Sequence, residues 1–333
     1  MKRLFHFSGR AWSFITSNIE GDHFVLSHGG HAAQFLHAAE SKLKGKGAIR
    51  AEIRDIEGCF PNMDKAAIRF GLRHVTKNIT ARLGHSTVSI PKYGNKPCQW
   101  KSSSKDFVTI PFDVLHDIIE FALDNTLIKD FDGQLWQQTA GIPMGDPHSP
   151  GACIGACAWM EHEWMQTIDA QTKAHFAAAR YMDDVLLLWA DSPTFDSTRF
   201  LHDFCKSECY LPPLNLEAGK DGTFLEACFE ITRNNTIRHW VKNVNEMGKP
   251  TKIVRYAHFN SHTSFAQKKS IMMACLKKVA LMASDNRALR KSATDKLYEF
   301  YKLSYPKKML WAAATTMGVQ SRNPTWFDVR DSM

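Results

Sequence analysis

Apolar and polar positions along the chain switch between a strand-like and a helical period. Ala48–Ile56 reads as a strand that carries Asp55 at its end, and Glu57-Gly58-Cys59-Phe60-Pro61-Asn62 as the turn that follows. From about Asp64 the spacing becomes helical, with Ala67, Ile68, Leu72 and Val75 on one face. Residues 80–110, rich in Gly, Pro, Ser and Lys, predict loops and short strands at a surface. Pro111 opens a helix on which Leu115, Ile118, Ile119, Ala122 and Leu123 form a core-facing stripe, and Gly133 then turns the chain into a short strand around Leu135–Thr139. Ser149-Pro150 reads as an N-cap with proline at the first helical position. Cys153, Ile154, Cys157, Ala158 and Met165 form the buried face of that helix.

Further on, the run Val185–Trp189 is apolar and strand-forming, and Pro193–Cys209 predicts a helix carrying Phe195, Leu201, Phe204 and Cys205. Two strands, Phe224–Ile231 and Ile237–Val241, flank Asn234-Asn235 as a hairpin turn. Ser264 and Gln267 form a capping box for a long helix. Its apolar face is Phe265, Met272, Cys275, Leu276, Val279 and Met282, which leaves Lys268, Lys269, Lys277 and Lys278 as a solvated face or a nucleic-acid contact. Strands and helices alternate early and helices dominate late, so the expected class is α+β with a helical appendage.

Composition narrows the choice. With 333 residues, 44% hydrophobic and 23% charged, the chain is long enough for more than one core and is not of a disordered type. A net charge of +8 tilts the partner toward polyanions. No secretory pattern follows the basic N-terminus, and no apolar run is long enough to cross a bilayer, so an intracellular protein with no membrane partner is expected. Eight cysteines without disulfide spacing fit a reducing compartment. Cys153/Cys157 and Cys205/Cys209 share helical faces but lack the C-x-x-C or His pair of a zinc site, so packed thiols are the better reading. The pairs His28/His31 and His258/His262 are assigned no role.

The candidate chemistry lies in three segments. They are Ile53–Phe60, the Gly-Pro-rich Gly141–Pro150, and Arg180-Tyr181-Met182-Asp183-Asp184. Two adjacent carboxylates beside a buried strand are costly unless something binds them, and a hard divalent cation suits carboxylate oxygens. Nucleotidyl transfer needs such carboxylates from two converging segments, because a pair of metal ions about 3.5–4 Å apart serves the attacking and leaving oxygens. Taken singly, Asp183-Asp184 could be an exposed hairpin turn, Asp55 a strand-end cap and Phe60 plain core.

In order along the chain, these motifs resemble the palm of a reverse transcriptase, and most closely those of Penelope-like retroelements, which share features with telomerase. The matching residues are Asp55 with Phe60-Pro61-Asn62-Met63, Gly141 to Pro150 followed by Met160-Glu161, and Arg180 to Asp184. Phe224-Leu225-Glu226 and Ser261-His262 through Lys269-Ser270-Ile271 complete the set. The resemblance runs over residues 25 to 310. It implies an α+β right-hand palm, an antiparallel sheet backed by helices, with truncated fingers and a helical thumb. It implies that Asp55 and Asp183 hold two Mg²⁺ ions, for which Mn²⁺ could substitute, with Asp184 assisting and the Ile56 carbonyl as a backbone ligand. It also implies Phe60 as the gate against a ribose 2′-OH, Met144 and Gly145 beside the incoming nucleotide and template base, and Lys220 near the triphosphate.

The implied partners are an RNA template, a DNA primer and dNTPs, and the implied compartment is the nucleus. The expected division is residues 1–54 as a fingers remnant and lead-in, 55–245 as palm with a finger-like insertion around 76–110, and 246–333 as helical thumb and tail. Members of the family carry a longer fingers region before the first Asp, and many carry a C-terminal endonuclease module. The alternative is therefore a truncated, catalytically silent remnant that binds nucleic acid without synthesis, or one part of a longer product.

Overall fold

The computed structural model describes residues 2–94, 96–219, 222–250 and 252–332. They form two compact units, each assembled from separated stretches of chain. One comprises 1–28 and 52–219, the other 29–51 and 220–333.

The first unit is built around a four-stranded sheet, with strands in the order Phe176–Tyr181, Asp184–Asp191, Ala48–Ile56 and Leu216–Ala218. Phe176–Tyr181 and Asp184–Asp191 form an antiparallel hairpin, and Leu216–Ala218 runs antiparallel to Ala48–Ile56. Val185 to Leu188 are fully buried, which is why this strand reads as a continuous apolar run. Helices Lys65–Leu83 and Ser149–Thr167 pack together at a close crossing. There Gly71 lies so near the partner backbone that a Cβ would come within 2.4 Å of the Gly155 carbonyl oxygen. Asp64 caps the first of these helices, accepting from the Ala66 and Ala67 N–H groups. Phe24, Trp164, Phe176, Phe200 and Phe204 form one buried aromatic cluster, with ring centroids 4.7–6.3 Å apart where they meet. Each such ring contributes roughly 1.5–3 kcal/mol on burial.

The second unit holds a three-stranded antiparallel sheet ordered Ile237–Val241, Ala227–Ile231, Thr223–Phe224. Helices Ala32–Leu43, Phe265–Met282, Asn286–Lys302, Lys307–Ser321 and Thr325–Asp331 complete it. Asn235, at φ 61, makes the expected hairpin turn, and its side chain also bonds to Ile49 N–H and the Gly47 carbonyl.

Several expected elements come out differently. The helix from Asp64 continues to Leu83, into the stretch read as loops, and the following strands Thr87–Pro91 and Phe107–Pro111 pair with each other. Ser149 is not the N-cap. Its hydroxyl donates to the Pro143 carbonyl at 2.5 Å, and His148 occupies the cap position. The predicted Pro193–Cys209 helix is shorter, spanning Ser197–Asp203 from an Asp196 cap and then widening into a π turn over Phe204–Glu208. Phe224–Ile231 is broken at Leu225, whose φ of 57 turns Thr223–Phe224 back against Ala227–Ile231. Lys268 is buried instead of solvated, because its ammonium donates to the Phe259 and Ser261 carbonyls at 2.6 and 2.7 Å, while Phe265 is 60% exposed. Short-range periodicity does not register such satisfied polar groups.

Candidate active site

Sheet order brings the predicted carboxylates together. The Asp184–Asp191 strand lies beside Ala48–Ile56, and the Ile56 N–H donates to the Asp183 carbonyl at 2.9 Å. Tyr181 pairs with Asp184, so Met182-Asp183 is a two-residue loop, with Met182 in the left-handed region at φ 59. Asp55 and Asp183-Asp184 therefore share one end of the sheet. On the other side of Asp55, the register of Leu216–Ala218 sets Glu217 directly opposite it. That fourth acid was not among the predicted residues, and only the strand pairing reveals it.

Crowding shows in the protonation of Asp55. Partial loss of water, then the charges of Asp183, Asp184 and Glu217, push its carboxyl up from 3.8 to about 6. A donor set of hard oxygens that repel one another fits a divalent cation, whose charge offsets that repulsion.

Between the usual carboxylate pKa and about 6, folded Asp55 keeps a proton that the unfolded chain has lost, so stability falls as pH rises through that window. Asp55→Asn is therefore expected to melt higher than the parent at neutral pH and no higher below pH about 4. Magnesium should raise the melting temperature of the parent more than that of the variant. Equal magnesium shifts in thermal melts would count against the expectation that Asp55 holds a cation.

The hairpin that presents Asp183 is anchored from beneath. Arg180 and Glu161 are an ion pair with no solvent exposure. The Arg180 guanidinium also donates to the Met182 carbonyl in the hairpin loop at 2.8 Å. Glu161 further accepts the Phe24 N–H at 2.9 Å and the Tyr210 hydroxyl at 2.8 Å. Burial pushes the Glu161 carboxyl up, and Arg180 and the Phe24 N–H pull it back toward the charged form. Arg180 also joins backbone bonds with Phe24 and Leu26, so the base of the hairpin is held on both its backbone and its side chain. Arg180 and Glu161 stood out in the motifs by position; that they are bonded to each other, and Glu161 to Tyr210, is a finding of the fold.

The residues expected on the nucleotide side are partly assembled. Gly58, at φ 54, makes the turn after Asp55's strand, and Phe60 follows in the short helix Cys59–Asn62, partly buried against the core. The Gly-Pro-rich segment is pinned to this turn, since Gly141 N–H donates to Met63 O at 3.1 Å and Ile142 N–H to Phe60 O at 2.8 Å. Within that segment Met144 is 77% exposed, and nothing lies within 4 Å of where a Gly145 Cβ would project. Asp146 accepts both the backbone N–H of His148 and a ring contact from its Nδ1 at 2.8 Å, bracing the loop. Lys220 lies outside the described residues.

This combination, an antiparallel sheet backed by helices with acids gathered at one sheet end, is a polymerase-like α+β architecture. No protein-family model and no curated protein sequence matches the chain. A solved telomerase structure from Candida does match in fold. The telomerase of Candida albicans in complex with a TWJ fragment of telomeric RNA aligns over 98% of this chain and 53% of its own, with 13% identity and a TM-score of 0.61. Apo telomerase of Candida tropicalis aligns over 98% and 52%, with 12% identity and a TM-score of 0.49. The chain thus shares its fold with the Candida albicans telomerase and spans about half the length of that protein. Among the described residues, no helix is long and apolar enough to cross a membrane.

Proposed function

We propose that the chain is the polymerase core of a reverse transcriptase of Penelope-like type, adding dNTPs to a DNA primer 3′-OH on an RNA template. One observation carries the reading. Asp55 and Asp183-Asp184, 128 residues apart at their closest in sequence, meet at one sheet end through the Ile56 N–H to Asp183 carbonyl bond. The fold shared with telomerase of Candida albicans supports it, as does the order of motifs.

In this reading Asp55 and Asp183 hold both magnesium ions, Asp184 assists and the Ile56 carbonyl is the backbone ligand. Bound magnesium, or manganese in its place, supplies charge neutralisation at the attacking and leaving oxygens. The protein's own contribution is positioning. The clamp of Glu161 and Arg180 fixes the loop that carries Asp183. The Gly141–Pro150 segment presents Met144 and Gly145 to the nucleotide and template base, and Phe60, bonded to that segment through its backbone, takes the gate position under the sugar. Lys220 is assigned to the triphosphate by motif order alone. Residues 55–245 would serve as palm, 246–333 as thumb, and the nucleus is the compartment that goes with a retroelement enzyme.

Primer extension on an RNA template, with Mg²⁺ or Mn²⁺, tests the proposal. Binding of a primer–template in a gel shift over a salt series, with no synthesis in either metal, would favour the silent remnant instead. Phe60→Ala is expected to relax the preference for dNTPs over NTPs by at least about tenfold, measured as the ratio of kcat/KM values. An unchanged ratio would take the gate away from Phe60.

A further inference from the structure

Behind the turn that carries Phe60 lies a second convergence, made of sulfur. Cys59 opens the short helix Cys59–Asn62, and Cys153 and Cys157 lie one turn apart on the Ser149–Thr167 helix. All three are buried, and their Sγ atoms fall within 4.8 Å of one another, with Cys59 and Cys153 at 3.2 Å. The spacing of Cys153 and Cys157 suggested packed thiols because no further ligand was near in sequence. The third sulfur comes from 94 residues away.

We propose that Cys59, Cys153 and Cys157 form a buried three-thiolate site for one soft metal ion, of which Cu(I) is the best match. Sulfurs bound to one ion at about 2.3 Å lie no more than about 4.6 Å apart, so the trio needs little adjustment to close. Thiolates select soft ions such as Cu(I) and zinc. Structural zinc takes four protein ligands, and among the described residues no His, Asp, Glu or further Cys joins this cluster. Three sulfurs in a site closed to water suit an ion content with fewer ligands. As the ion enters, each thiol that ligates releases its proton to solvent. Occupancy would tie the turn bearing Phe60 to the helix that follows the Gly141–Pro150 segment. The donors are distinct from the carboxylates, so the site stands or falls independently of polymerase activity.

The test is titration of the reduced, full-length protein with Cu(I) under oxygen-free conditions against a chromophoric Cu(I) chelator. X-ray absorption then reads the ligand shell. Uptake of one Cu(I) per chain in a three-sulfur shell is expected. Affinity should drop more than about tenfold in Cys59→Ala and in Cys153→Ala, and stay unchanged in Cys228→Ala. The shell of the unaltered protein is informative even where a variant folds poorly. Cu(I) uptake that persists in the Cys59→Ala, Cys153→Ala, Cys157→Ala triple variant would overturn the proposal. So would an oxygen- or nitrogen-containing shell, Zn(II) binding as tightly as Cu(I), or no uptake at all.

Discussion

Asp183→Asn is expected to lower primer extension on an RNA template by at least about 10²–10³-fold, the usual cost of removing one group that stabilises transition-state charge. In the proposed reading Asp183 acts at the reacting centre, so the loss should fall on kcat, with primer–template affinity nearly unchanged. The substitution is close to isosteric. Asp183 joins the sheet through its backbone carbonyl, which accepts from Ile56 N–H, and the variant keeps that bond. Folding should therefore be intact, and circular dichroism with a thermal melt separates lost chemistry from lost structure. Asp55→Ala should be as damaging, since Asp55 lies across the same sheet end. Extension that survives in the Asp183→Asn, Asp184→Asn double variant would remove the polymerase reading. Glu217 belongs in the same series: it faces Asp55 in register and contributes to its raised pKa.

Arg180→Met is expected to cost about 3–5 kcal/mol of unfolding free energy, because it leaves the Glu161 carboxylate buried without its counter-ion. The guanidinium also supplies a donor to the Met182 carbonyl, so the loop that carries Asp183 loosens in the same step. Changing both partners, Arg180→Met with Glu161→Gln, should recover much of the stability by removing the stranded charge. It should not recover activity, because the hairpin anchor is still gone. Arg180→Lys keeps the charge but cannot reproduce the planar fork that reaches Glu161 and Met182 together. Urea unfolding measures the first effect and primer extension the second. A loss below about 1 kcal/mol for Arg180→Met would mean that the pair is not what holds the hairpin.

Much of the local structure was readable from residue spacing. The helix start near Asp64, the stripe Leu115, Ile118, Ile119 and Leu123, the apolar run at Val185 and the Asn235 turn all depend on neighbours a few residues away. The errors share a different cause. Ser149 looks like a helix cap until the Pro143 carbonyl draws its hydroxyl elsewhere. Lys268 looks like a surface charge until two carbonyls of its own unit satisfy it in the interior. The Phe224–Ile231 strand holds as an apolar pattern, yet Leu225 turns left-handed near its start.

Residue order and local spacing single out the candidates for chemistry, Asp55, Phe60, Gly145, Asp183 and Asp184, each in the local setting that its neighbours dictate. Tertiary structure decided what those residues face. The pairing of Asp55 with Glu217, the bond from Ile56 to Asp183, the clamp of Glu161, Arg180 and Tyr210, and the meeting of Cys59 with Cys153 all join distant stretches of chain. Propensity and periodicity act over a turn or two of backbone, whereas strand order and helix packing choose partners across the whole unit. The electrostatic setting of a carboxylate or a thiol is therefore created only when the chain has closed on itself.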